Sequence, residues 1–146
     1  PLRAVRHHDL CFGCGQANLF GLQLELERSA DGVEGRFFVK QDHQGPPGYA
    51  HGGVISATLD VVAGFAIHLA LFKQDEDEGK EFIFPNIGTI DLRIDYLRPA
   101  FRGESVFARC ECTKLTRRIA FTRGTAHVGD PSRPIAYSSG TFMIGA

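Results

Sequence analysis

Two features lie within ten residues of each other and have the types to do chemistry: His51-Gly52-Gly53 and Asp60. The chain from Val54 to Phe72 reads VISATLDVVAGFAIHLALF, in which Asp60 is the single acid and no Lys or Arg occurs. A carboxylate set among apolar residues costs free energy unless it is paired or used, so its presence asks for a reason. The glycine pair opens the same apolar run. The first amides of a helix lack internal acceptors and sit at the positive end of its dipole. Glycines there leave room for a ligand to approach, which suits an anion or a developing oxyanion. On residue types alone His51-Gly-Gly53 reads equally as a local turn, and Asp60 as a satisfied acid bonded to a hydroxyl.

Asp60 stands eight positions after Gly52, about 12 Å along a helix at ~1.5 Å rise per residue. One site cannot easily use both groups from one chain. Two antiparallel copies of the helix bring Asp60 of one subunit to Gly52 of the other, and that geometry predicts a dimer with shared sites. Burial raises the carboxyl's proton affinity and a helix start beside it lowers it, so the two influences oppose.

The elements that must position these groups follow from pattern. Residues 1–20 read as a turn-rich cap. Leu22, Leu24 and Leu26 alternate with polar neighbours, and Val33 to Lys40 forms the next strand across an Asp31-Gly32 turn. Gln41 to Tyr49 is a loop stiffened by Gly45-Pro-Pro-Gly48. The helix runs from Gly52 or Gly53 to about Phe72, and Lys73 to Gly79 is a solvated acidic loop. Ile90, Leu92, Ile94 and Tyr96 make one face of a strand that Arg98-Pro99 ends. Glu104 to Thr113, Arg118 to Val128 and Ile135 to Ile144 are three further strands. A helix apolar on nearly every side must be surrounded, and a single antiparallel sheet curled around it does this. The fold class is therefore α+β, with residues 1–146 as one domain.

Composition narrows the functions. The chain has 146 residues, 43% hydrophobic and 23% charged, which is the balance of a globular chain rather than a disordered one. A net charge of −1 offers no pull toward nucleic acid or an anionic membrane. The helix has the length of a membrane span, but Ser56, Asp60, Gly64 and His68 interrupt it, and no span is expected. No basic-then-apolar leader pattern opens the chain, so a cytoplasmic location and reduced thiols are expected. Cys11-x-x-Cys14 and Cys110-x-Cys112 are two close pairs. The one-residue gap of the second suits a strand better than a zinc knuckle, and no metal or cofactor is expected.

Tyr49-Ala-His-Gly-Gly53 followed by Asp60 resembles the hotdog-fold thioesterases, in the branch of phenylacetic-acid-pathway and THEM-type acyl-CoA thioesterases within the 4-hydroxybenzoyl-CoA thioesterase-like superfamily. Thr89-Ile-Asp-Leu-Arg-Ile-Asp-Tyr-Leu-Arg-Pro-Ala100 is similar to the strand that follows the helix in that family, and Cys11-Phe-Gly-Cys-Gly-Gln-Ala-Asn-Leu-Phe-Gly-Leu22 to an N-terminal signature of part of it. The resemblance implies a hotdog fold and hydrolysis of an acyl-CoA substrate. It implies that the Gly52 amide polarises the thioester carbonyl and that Asp60 of the neighbouring subunit acts as nucleophile or general base. His51 would brace the loop, Thr89 would help hold the water, and Gly53 would line the substrate. Some relatives carry an Asn six residues before the histidine; here that place is Gly45, and the adjacent Gln44 is the candidate substitute. Homodimers that pair into tetramers are implied too.

Phe65, Ile67 and Phe84 are candidate tunnel walls, though such residues are also ordinary core, and His68 reads as a core histidine. Arg102, Arg117 and Arg118 are candidates for the coenzyme A phosphates, since guanidinium groups suit phosphate oxygens. The second reading is a non-catalytic acyl-CoA-binding hotdog module, against which the desolvated Asp60 argues. A hotdog dehydratase would need an Asp and His pair that finds no match here. A structural zinc protein built on the cysteines is the remaining reading.

Overall fold

The computed structural model describes residues 9–79 and 85–145. Its elements are β1 (Glu25–Arg28), β2 (Val33–Phe38), α1 (Gly52–Asp77), β3 (Ile87–Tyr96), β4 (Ser105–Leu115), β5 (Ile119–His127) and β6 (Ala136–Ile144). The strands form one six-stranded sheet in the order β1-β2-β4-β5-β6-β3, and every neighbouring pair is antiparallel. The two-strand, helix, four-strand order expected from the pattern is the one observed.

The sheet wraps α1 because its inner face is built from small residues. Val106, Ala108 and Cys110 on β4 face the helix, as do Ala120, Thr122, Gly124 and Ala126 on β5 and Ala136 and Ser138 on β6; all are buried. This period-two row lets α1 settle close, chiefly across β4, β5 and β2. Leu59, Val62, Ala63, Ala66 and Ile67 fill the interface and are nearly inaccessible. By length and composition α1 is apolar enough to cross a bilayer, yet more than half of its most apolar window is covered by this sheet.

Three boundaries differ from the sequence reading. β1 starts at Glu25 rather than Leu22, because Gln23 turns left-handed at φ 49°; Leu22 and Leu24 are still core. β2 stops at Phe38, and Lys40 begins a 3-10 turn at Gln41–His43. The helix continues five residues past Phe72, so Lys73–Asp77 is helical rather than loop. Its end is set by Gly79, whose φ of +70° suits the left-handed closing position, with the Gly79 amide bonded to the Glu76 carbonyl.

Candidate active site

The loop before α1 is held rigidly. Gln44 and Ala50 form an antiparallel bridge, as do Tyr49 and Phe101, and the Ala50 amide donates to the Ala100 carbonyl at 2.9 Å. Beneath them His43 is 1% exposed. Its Nδ1 accepts from the Lys40 amide at 3.2 Å, so the proton is on Nε2, which donates to the Gly21 carbonyl at 3.1 Å. The His43 carbonyl then accepts the His51 amide at 2.8 Å. The ring of His43 thus ties the N-terminal segment to the residue that starts the helix. Sequence reasoning left His43 unplaced; a lone histidine in a polar loop carries no pattern signal.

His51 is the N-cap. Its Nδ1 accepts from the Gly53 amide at 2.8 Å. The two glycines therefore differ. A Cβ on Gly53 would stand 3.0 Å from His51 Nδ1, too close for the cap bond to persist unchanged. A Cβ on Gly52 would make only ordinary contact, at 3.4 Å, with the Tyr96 hydroxyl. Among the described residues the Gly52 N–H has no acceptor, while the Val54 amide bonds back to the His51 carbonyl at 3.0 Å. Gly52 is the exposed donor and Gly53 is occupied by the cap. The Tyr96 hydroxyl donates to the Gly52 carbonyl at 2.7 Å, clamping from β3 the peptide that follows the exposed N–H. Burial raises the Tyr96 phenol and a bond with the Ser56 hydroxyl offsets part of this.

Asp60 is half-buried on α1, facing β3. The Thr89 hydroxyl donates to its Oδ1 at 2.7 Å, the only hydrogen bond to this carboxylate among the described residues. A β-bulge makes the contact possible: between Thr89 and Asp91 the register against β6 shifts, leaving Ile90 extra. Strict alternation puts Ile90 in the row of Leu92 and Ile94 and turns Thr89 away. The bulge reverses this, sending Thr89 to the helix side and leaving Ile90 half exposed. On the sheet below, the Cys110 thiol donates to the Leu59 carbonyl at 3.6 Å. Burial first, and then the charge of Asp60, push that thiol up to about 12, against a bond with Ser138.

The other sequence candidates are dispersed. Gln44 is engaged inside its loop, Nε2 donating to the Gln41 carbonyl at 2.9 Å and Oε1 accepting from the Gly48 amide at 2.7 Å. Gly45 lies against His51, where a Cβ would be 3.4 Å from its Cα. Arg102 follows the Tyr49–Phe101 bridge at one end of β4; Arg117 and Arg118 lie just beyond the other end. Between them lies the length of β4, 11 residues or roughly 33 Å at ~3.3 Å per residue. One protomer cannot put all three on one phosphate group. Phe65 and Ile67 are packed core, and Phe84 lies outside the described residues. His68 is half-buried with Nε2 3.2 Å from the Pro85 carbonyl, and burial lowers it despite that bond. No group of three or more His, Cys, Asp or Glu able to hold a metal occurs among the described residues. A groove of about 560 Å³ lies on the outer sheet face, but its Arg109 and Arg123 are already paired with Asp31 and Glu111.

An antiparallel sheet of this order wrapped on one long helix is the hotdog fold. The chain belongs to the thioesterase superfamily, whose family model matches residues 47–135, from the loop before α1 to the start of β6. It is 37% identical over 99 residues to YigI of Escherichia coli K12, a medium/long-chain acyl-CoA thioesterase; the match covers 65% of this chain and 62% of that protein. The chain thus spans less than two thirds of the length of the curated relatives it matches first. A crystal structure from Pseudomonas aeruginosa is 33% identical, covering 84% of this chain and 85% of that one with a TM-score of 0.66. Thioesterase HI1161 of Haemophilus influenzae, 23% identical over 90% of this chain and 84% of its own, supports the fold at a TM-score of 0.73.

Proposed function

We propose that this chain, a single hotdog domain, is an acyl-CoA thioesterase that works as a homodimer, pairing further into a tetramer. The observation that carries the reading is Asp60: a half-buried carboxylate held through one oxygen by Thr89, on the helix whose free first amide belongs to Gly52. The names of the relatives supply the substrate class, a coenzyme A ester of an acyl chain.

In the dimer, Asp60 of one protomer meets Gly52 of the other. The thioester oxygen accepts the Gly52 N–H. Asp60 takes a proton from water as the water oxygen bonds to the carbonyl carbon. Charge developing on the former carbonyl oxygen is held by the amide and the positive end of α1. When the carbon–sulfur bond breaks, the carboxylic acid of Asp60 returns its proton to the departing thiolate. Asp60 acting as nucleophile would instead pass through a mixed anhydride. In a single turnover in heavy-oxygen water, label in Asp60 would identify the anhydride route with water attacking the Asp60 carbonyl, since general-base hydrolysis puts the label only in the product acid.

The test is a panel of acyl-CoA esters followed with a thiol reagent. Wild type releases thiol and Asp60→Asn does not. Equal rates in the two proteins would remove Asp60 from the chemistry. Binding of the esters without any release would favour the non-catalytic module.

A further inference from the structure

The Cys11–Cys14 pair lies outside this site. Residues 9–24 fold into a tight turn unit: the Gly15 amide donates to the Cys11 carbonyl at 2.9 Å, Leu22 to Phe12 at 2.7 Å and Leu24 to Gly13 at 3.0 Å. Its glycines leave no slack. A Cβ on Gly13 would stand 2.5 Å from Val61 Cγ2 on α1, and one on Gly15 would stand 2.3 Å from the Asp9 carbonyl oxygen. The turn brings Cys11 and Cys14 together, with the Cys14 amide donating to Cys11 Sγ at 3.4 Å.

The pair is asymmetric. Burial alone would raise the Cys11 thiol; the amides of Cys14, Gly13 and Gly15 and the Cys14 thiol reverse this and hold it below the ordinary cysteine range. Cys14 is 6% exposed and is pushed up to about 12, by burial first and then by its bond to Cys11. Cys11 is only half-buried. Burial raises Cys110 and Cys112 as well, so Cys11 alone among the four combines access with a stabilised thiolate.

We propose that Cys11 and Cys14 are a redox-active dithiol that exchanges with small-molecule disulfides, with Cys11 as the attacking thiolate and Cys14 as the resolving thiol. Cys11 Sγ bonds to one sulfur of the disulfide, whose S–S bond breaks, and the first small thiolate leaves and takes up a proton. Cys14 then gives up its proton, its sulfur bonds to Cys11 Sγ, and the second small thiolate departs. Two protein thiols and one small disulfide become one intramolecular disulfide and two small thiols.

The whole chain, fully reduced, is equilibrated in mixtures of oxidised and reduced glutathione, quenched with acid, alkylated and mapped by mass. Wild type is expected to lose two alkylatable thiols together, with the bridge within residues 11–14 and no lasting glutathione adduct. Cys14→Ser is expected to accumulate a glutathione mixed disulfide on Cys11, and Cys11→Ser to leave Cys14 unmodified. A measurement on wild type alone guards against variants that fold poorly: at about pH 6, Cys11 should alkylate roughly tenfold faster than Cys112, because only a stabilised thiolate reacts there. The proposal is overturned by equal reactivity of Cys11 and Cys112, or by Cys11 and Cys14 remaining free at every glutathione ratio. It is also overturned if the purified protein carries stoichiometric zinc and these thiols react only after chelation. None of these readouts depends on thioester hydrolysis.

Discussion

The two edges of the sheet are unlike. β1 is four residues long and presents Glu25, Glu27 and Arg28, with Glu25 ion-paired to Arg36 on β2. β3 is ten residues long, and it and the turn after it leave Ile90, Tyr96 and Leu97 half exposed. A short charged edge resists further pairing; a long edge with apolar side chains invites it. The inviting edge is also the one that braces the candidate site, since Thr89 and Tyr96 on β3 hold Asp60 and the Gly52 peptide. The difference teaches which edge the proposed dimer would use: a second copy over β3 would set α1 of each protomer beside the other's candidate site, as the proposed shared site requires.

The largest effect is expected from Asp60→Asn. Loss of the acid–base group should reduce kcat by about 10²–10⁴-fold with the fold intact, since general acid–base groups contribute on that scale. Far-UV dichroism and a melting curve, recorded beside the acyl-CoA assay, separate chemistry from folding.

The comparison of edges breaks or stands on a pair of lysines. Ile90→Lys puts a charge on the bulge of β3 and should shift sedimentation toward monomer, with activity falling in step as protein is diluted. Glu27→Lys makes the same residue on β1 and should change neither. If the β3 variant stayed associated and active, the shared site would have to be placed elsewhere. If both variants dissociated, assembly would depend on charge in general and not on this edge.

How much of this was legible in the chain divides along the same line. The helix start was readable because two glycines stand directly before an apolar run; that His51 caps it only the fold shows. The helix end was not, because Lys73–Asp77 is a solvated turn with no apolar stripe to announce it. Strands β4 to β6 were plain in their alternation. The bulge at Ile90 was invisible, since period two still looks unbroken from Ile90 to Tyr96 when read along the letters. Thr89 was therefore reachable only through family resemblance; its own strand phase points it outward. His43 was missed because its role rests on three backbone partners, from Gly21 to His51, that only folding brings together.

Thr89→Val sharpens the site without disturbing the edge. Valine is isosteric and favours strands, so the fold should be unchanged. A bond to a charged oxygen is worth about 1.5–3 kcal/mol when buried, and Thr89 is exposed in the protomer, so the lower end applies. About tenfold in kcat, with KM little changed, is expected. An unchanged kcat would mean that Asp60 needs no brace from β3.

The smallest effect is expected from Tyr96→Phe. Its hydroxyl touches neither Asp60 nor the Gly52 amide proposed as the oxyanion donor; it holds the Gly52 carbonyl, one peptide plane away from that N–H. Removing it leaves that carbonyl with its helical partner, so stability should fall by only about 0.5–1.5 kcal/mol, the usual net worth of one such bond. The kinetic consequence is a looser Gly52 peptide, expressed as a fall of a few-fold in kcat with substrate affinity retained. A larger fall in KM-weighted rate than in kcat would mean that the phenol binds substrate directly. In that case β3 would supply a binding group to the site and not only its frame, and the contrast between the two edges would be sharper than their lengths and charges already make it.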